Sequence, residues 1–598
     1  MSTYEDRLTA LRAELARRRL DGFVVPLTDE HMSEYVGAYA QRLAWLTGFQ
    51  GSAGSAVVLP ADAAIFTDGR YTLQVREQVD GSHWSYQPVP QASIAGYLAQ
   101  HAPDDARIGY DPWLHTRDWV AQASAALTAR GAELVAVDTN PVDAVWPDRP
   151  APSNATLVVH SDRHAGRTSA DKRQDIADWL VTKGADAVVL AALDAIAWTL
   201  NVRGSDVDHT PVALAYAIVN ADATADLFVA PEKMADDVMQ HLGNAVRVHP
   251  RDAFADHLRT LRGQRIAVDP TQAVAAIFAR LEDGGARVLE ARDPTLVAKA
   301  IKNDGEIAGQ RAAQARDGAA LTRFLHWLSI EAPKGGLTEL SAAAKLEAFR
   351  RENGDLVDLS FDSISGAGPN GAICHYRVDA ASNRPIEIDS LYLIDSGGQY
   401  RDGTTDVTRT VAVGTPTADM RDRFTRVLKG HIALSQAVFP EGTVGGQLDV
   451  LARQYLWAVG LDYPHGTGHG VGAFLSVHEG PQRISPAWSS QSGGSEPLRA
   501  GMILSNEPGY YKAGEYGIRI ENLLLVERRE IAGAEQPMLG FETLTFAPID
   551  RALIDVDLLD RSERAWLDAY HADVRTRIGA QLDGDARTWL ETVTAPIA

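Results

Sequence analysis

His465-Gly466-Thr467-Gly468-His469-Gly470-Val471-Gly472 is the stretch on which the reading of this chain turns. Two histidines four apart would share one face of a helix. The interleaved glycines exclude that, since each interior glycine costs a helix about 1 kcal/mol. Taken as extended chain, positions 465, 467 and 469 fall on one face. The glycines then predict a close approach of the backbone to whatever that face binds. His478 follows in Val477-His478-Glu479-Gly480-Pro481. Asp395 and Asp406 lie upstream, and Glu507 and Glu521 downstream. Four carboxylates and an imidazole make a hard, oxygen-rich donor set with charge enough for two divalent cations.

Asp395 ends the apolar run Leu391-Tyr392-Leu393-Ile394, on the face of Leu391 and Leu393. Ser396-Gly397-Gly398 reads as a turn, and the return through Asp402 to Asp406 predicts a hairpin that sets the two aspartates side by side. Carboxylates that close repel unless a cation or a proton lies between them. Glu507 stands at a strand end closed by Pro508-Gly509, and Glu521 shares a strand face with Arg519. A simple salt bridge is one reading of that pair. The preferred one has Arg519 holding Glu521 in place, because metal ligands need such support.

His375 follows Gly366-Ala367-Gly368-Pro369-Asn370-Gly371. The glycines fit a G-x-G-x-x-G string, but Pro369 and the missing strand-to-helix context exclude a dinucleotide site. Cys374 and His375 face opposite ways on extended chain, so the cysteine reads as buried rather than nucleophilic. His478, near His469, reads as a proton carrier or substrate contact.

The chain has 598 residues, more than one core can organise, since single cores stop growing at roughly 250–300 residues. A net charge of −22 argues against nucleic acid and against an anionic membrane surface as partners. Cys374 is the only cysteine, and the start lacks the apolar segment of a signal peptide, so a cytoplasmic protein is expected. The element order recurs. A helix, a buried strand at Gly22–Pro26 and Trp45, Gly51 and Ser52 are matched by a helix over about 169–183, a strand at 187–190 and Trp198, Gly204 and Ser205. Three identities at one offset predict a duplicated α/β domain. A proline-rich connection after Asn140 and a boundary near Arg292-Asp293-Pro294 divide the chain. Long helices over 303–330 and 338–352 open the last part, which closes on an amphipathic tail from Asp550.

Together these residues resemble the pita-bread metallopeptidases, specifically their aminopeptidase P (Xaa-Pro aminopeptidase) branch, of the three-domain cytosolic type. The resemblance runs over the whole chain and includes Trp198 to Pro211. It implies an α/β (α+β) fold: creatinase-like domains over 1–153 and 154–294, then a pita-bread catalytic domain over 295–598 with an extension from about 550. It implies two divalent metals held by Asp395, Asp406, His469, Glu507 and Glu521, with Asp406 and Glu521 bridging. Substrate contacts fall to His375, His465, His469, His478 and, from the N-terminal domain, Arg70. The catalytic set is His375, His465, His478 and Arg519. The implied reaction is cleavage between a first residue and a penultimate proline, by a hydroxide bridging the two metals. The ligand set favours manganese, with cobalt, iron and zinc as alternatives.

Two rivals stand beside this reading. A prolidase would use the same fold on dipeptides, and the duplicated N-terminal domain weighs against it. A peptide-binding relative that lost its metals is disfavoured by the five intact ligand positions. Ser485 to Ser495 departs from the family pattern as a loop change that leaves the ligands untouched. A homodimer is expected, because Trp566, Leu567 and Tyr570 lack an obvious partner in their own stretch and related enzymes pair through their catalytic domains.

Overall fold

The computed structural model describes residues 2–486 and 493–597, so part of the Ser485–Ser495 loop lies outside the described residues. The chain forms two compact units, one of residues 1–161 and 167–296, the other of 162–166 and 297–598.

The first unit opens with helix Tyr4–Arg17, started by a capping box between Thr3 and Asp6. Its Leu8, Leu11 and Leu15 are buried against the strand Gly22–Pro26, all of which is buried. Two six-stranded sheets follow one plan. The first orders its strands Ser85–Pro88, Ala63–Thr67, Ser55–Val58, Gly22–Pro26, Arg107–Tyr110 and Glu133–Ala136. The second orders Val246–His249, Ala225–Val229, Ala215–Asn220, Ala187–Leu190, Arg265–Val268 and Arg287–Glu290. Each has two antiparallel pairings inside and parallel pairings toward its edges. Trp45 and Trp198 occupy corresponding short helices, Arg42–Thr47 and Leu193–Leu200.

In the second unit, Asn303 and Glu306 form the capping box of the 28-residue helix Asp304–Glu331. One sheet joins Ile364–Ala367, Ser390–Ser396 and Val407–Val413. Another orders Phe439–Pro440, Met538–Thr543, Asn522–Arg529, Ile503–Asn506, Gly468–Gly470 and Glu479–Ile484. The predicted hairpin after Asp395 takes a longer path. Gly398–Tyr400 leaves to pair with Leu356–Leu359 and Gly403–Thr404 before the chain returns. In the returning strand Thr408, not Asp406, stands opposite Asp395.

The tail has its partner in its own chain. Helix Arg561–Ile578 sinks Leu567, Tyr570 and Val574 into the core that holds Phe424, Leu428, Tyr516 and Ile518, and Trp566 packs against it. Trp566 stacks on Tyr570 at 5.3 Å between ring centroids. The expectation that a second copy must cover this face is therefore overturned. Among the described residues, no helix is long and apolar enough to cross a membrane.

Candidate metal centre

The chemistry-bearing side chains sit in two sheets of the second unit, all but His469 at or beside strand ends. Asp395 lies near the end of Ser390–Ser396, Asp406 just before Val407–Val413, and Glu507 just after Ile503–Asn506. Glu521 precedes Asn522–Arg529, His478 precedes Glu479–Ile484, and His469 is the middle of Gly468–Gly470. Strand ends suit this work, because the ladder fixes the backbone while the side chain is free to leave the core.

Asp406, His469 and Glu521 each offer a donor atom, and these atoms all lie within 4.8 Å of one another. His469 Nδ1 is 2.9 Å from the Gly470 carbonyl, which can only accept. Burial, then the neighbouring His478, pushes the imidazole down to about 4, so it is neutral. Nδ1 therefore carries the proton and Nε2 presents a lone pair. Nε2 faces Asp406 Oδ2 and Glu507 Oε1, each at 3.5 Å. Three possible ligand atoms thus converge on one point, the arrangement a cation completes.

The carboxylates point the same way. Burial and the Asp395 charge hold Asp406 well above the usual carboxylate range. Burial, then Asp406 and Asp395, does the same to Glu521, and burial raises Glu507. Asp395 Oδ1 is buried with no hydrogen-bond partner. An orphaned carboxylate oxygen beside repelling carboxylates is a costly arrangement that a divalent cation relieves. The donor set fits a hard metal.

The support around the cluster differs from expectation at Arg519. Its Nη2 donates to Asp395 Oδ2 at 2.5 Å, so Asp395 is the carboxylate it grips. It reaches Glu521 only through Thr408, whose hydroxyl accepts from Arg519 Nε at 3.2 Å and donates to Glu521 Oε2 at 2.9 Å. Arg519 Nη1 also donates to the Tyr511 hydroxyl at 2.7 Å, which lies 2.7 Å from His465 Nε2. Thr408 and Tyr511 were missed in the sequence. Asp406, Thr408 and Thr410 alternate with period two, and that signal would have found Thr408.

The glycine-rich stretch is also corrected. Only Gly468–Gly470 is strand, and Thr467 turns its hydroxyl to Asp449 Oδ1 at 2.6 Å, so 465, 467 and 469 do not serve one face. A Cβ at Gly468 would come 1.9 Å from the Ser505 carbonyl. The glycine is there for strand-to-strand packing rather than for a ligand. His478 lies beside the cluster, its ring 4.4 Å from that of His469 and edge-on to it.

His375 follows the 3₁₀ turn Gly368–Ala372, and Cys374 is buried. The loop that carries them is tied down by Glu339, which accepts from the Ala367 and Arg384 amides, the Asn370 amide group and the Tyr376 hydroxyl. Arg70 belongs to the first unit, where Asp68 holds it at 2.7 Å and Glu34 at 4.0 Å.

Residues 308–528 match the model of metallopeptidase family M24, a span that includes all five donor positions. The chain is 42% identical to aminopeptidase P2 of Arabidopsis thaliana, over 97% of this chain and 86% of that protein. It is 41% identical to a probable Xaa-Pro aminopeptidase P of Aspergillus niger, over 99% of both.

The chain belongs to metallopeptidase family M24, in its aminopeptidase P branch.

Two further spans of this M24 chain, 7–145 and 148–306, each match a creatinase/prolidase N-terminal domain, and 537–597 match the C-terminal region of the family. A solved M24 relative, the X-prolyl aminopeptidase of Caenorhabditis elegans, is described as a cytosolic enzyme with a di-nuclear active site. It is 35% identical, covers 100% of both chains and superposes with a TM-score of 0.94. The two creatinase-like α/β domains and the pita-bread fold of an aminopeptidase P are thus the architecture of this chain.

Proposed function

We propose that this chain is a metal-dependent aminopeptidase that releases the first residue of peptides with proline in second position. The observation that carries the reading is the buried convergence of Asp406, His469 and Glu521, with donor atoms within 4.8 Å. It gains weight from full-length likeness to proteins named for that activity.

Two divalent cations would be held by Asp395, Asp406, His469, Glu507 and Glu521, with Asp406 and Glu521 between them. The oxygen-rich set favours manganese. Metal at such a site polarises a carbonyl and lowers the pKa of water. The protein's own groups do the rest. His469, fixed by Gly470, keeps its lone pair turned inward. His478 is assigned the proton delivered to the leaving proline nitrogen. His465, oriented by Tyr511, and His375 are assigned to the pyrrolidine and the scissile carbonyl. Arg70 completes the set assigned to substrate contact. Arg519 supports the centre through Asp395. An X-Pro bond is a tertiary amide with no N–H, so a site that demands an amide N–H rejects it and a dedicated enzyme is needed.

The reading carries three domains, 1–153, 154–294 and 295–598, and a cytoplasmic location. It also carries a homodimer formed through catalytic domains. Leu567 and Tyr570 are buried within their own chain, so they do not supply that contact.

Three peptides test the function: X-Pro-Y, its N-acetylated form, and X-Pro, each after chelation and Mn²⁺ readdition. Cleavage of X-Pro-Y alone among the blocked and unblocked tripeptides supports the proposal. Cleavage confined to X-Pro makes the enzyme a prolidase. Equal cleavage of the acetylated peptide refutes an aminopeptidase.

A further inference from the structure

Immediately after His478 stands a carboxylate that no catalytic step uses. Glu479 has a side chain 0% exposed, and it meets two lysines that are each 1% exposed. Lys299 Nζ is 3.1 Å from Glu479 Oε1, and Lys302 Nζ donates to Oε2. Lys302 also donates to the Lys299 carbonyl at 2.9 Å. Three buried charges in one group are costly to desolvate, so their presence asks for a reason other than stability.

The reason lies in what Glu479 adjoins. It opens the strand Glu479–Ile484 and stands opposite Gly470, with the register shifting between His469 and Gly470. A Cβ on Gly470 would come 2.6 Å from the Glu479 carbonyl, so the two backbones are in tight contact. Glu479 is therefore next in chain to His478 and next in space to His469, the two rings that meet at 4.4 Å. Its lysine partners come from the segment that opens this unit. That segment is itself fastened to the strand leading to Glu507, by an Ile301–Met502 bridge and by Lys302 N–H to the Gly501 carbonyl at 2.9 Å.

We propose that Glu479, clamped by Lys299 and Lys302, is a positioning residue for the hydrolysis. The ion pairs fix the origin of its strand, and with it the distance of His478 from His469 and Asp406. Glu479 touches no substrate. The inference rests on the peptidase reading and on the role given there to His478.

The test compares the parent with Glu479→Gln and with the triple variant Lys299→Met/Glu479→Gln/Lys302→Met, all as full-length metal-loaded protein. The parent must cleave X-Pro-Y; if it does not, the peptidase reading fails before this one is reached. Glu479→Gln strands two buried ammonium groups, and its thermal midpoint should fall. The triple variant removes the charges together, a change that is often neutral or stabilising, and its midpoint should recover. A positioning role predicts that both variants keep the parent's metal content and KM within about twofold while kcat falls about 10–100-fold, the scale of a misplaced catalytic group. A purely structural role predicts that kcat per metal-loaded site returns with the thermal midpoint in the triple variant, and that result overturns the proposal. Should Glu479→Gln not fold, the triple variant alone decides: parental kcat overturns, and a reduced kcat at parental metal content supports.

Discussion

Arg519 grips Asp395 at 2.5 Å through one nitrogen and spends its other two on Tyr511 and Thr408. One planar group thus aligns a carboxylate of the candidate centre, the tyrosine beside His465 and the threonine beside Glu521. A lysine has the charge but not the fork. Arg519→Lys should lower metal affinity or activity by about 10–100-fold, the cost of losing support around a ligand. Metal titration by calorimetry, with kcat measured at saturating metal, checks it.

Asp406→Asn should abolish cleavage and lower metal stoichiometry without loss of fold. The folded pKa of Asp406 is raised, so the native state holds its proton more tightly than the unfolded chain does. Between the unfolded value and the raised one, this group's contribution to stability falls as pH rises. Neutral asparagine lacks that penalty, so the metal-free variant should melt no lower than the metal-free parent at pH 7. Calorimetric melting and elemental analysis of the same samples decide both halves.

His478→Ala should leave metal content at the parental level and lower kcat by about 10²–10⁴-fold, the range for a general acid–base group. Its ring stands against His469 but is not one of the three clustered donors. Parental kinetics would make it a packing residue.

His571 gives the second unit an acid-sensitive point away from the centre. Its Nε2 accepts the Ile549 amide at 3.1 Å, and burial, then Arg409, pushes its pKa down to about 3. The native state therefore binds fewer protons than the unfolded chain between about pH 3 and the unfolded value near 6.5. The stability it contributes is complete above that window and is lost as pH falls through it. In metal-free protein, His571→Gln should flatten stability against pH between pH 4 and 6 by ~1.4 kcal/mol per pH unit. Urea unfolding at several pH values measures the slope.

Repetition and donor chemistry were legible in the sequence because both act locally. Trp45 and Trp198 recur in the same place within two sheets of one strand order. Acidic residues after buried apolar runs announce side chains that leave a core with a purpose. What stayed hidden depends on pairings across long separations. Arg519 sits two residues from Glu521 yet bonds Asp395, 124 positions away, because the expected single strand breaks between them: Arg519 ends Tyr516–Arg519, and Glu521 precedes Asn522–Arg529 of another sheet. Trp566 and Tyr570 looked exposed because their cover, Phe424 to Leu428, lies on a distant helix. The glycines around His469 were legible as tight backbone but not as tight against what. Ser505 supplies the answer only once the strands are ordered.

The Tyr570 hydroxyl accepts from Arg409 Nη2 at 2.8 Å, and Arg409 Nη1 donates to the Glu521 carbonyl at 2.7 Å. A residue that follows all five candidate donors in the chain thereby buttresses the backbone of one of them. Translation runs from the amino end, and domains fold as they emerge, the N-terminal ones first. On the ribosome the two leading domains can be finished while Tyr570 is still unmade and Arg409 lacks its last contact. The brace behind Glu521 is thus set only after the helix Arg561–Ile578 has been made, later than all five candidate donors.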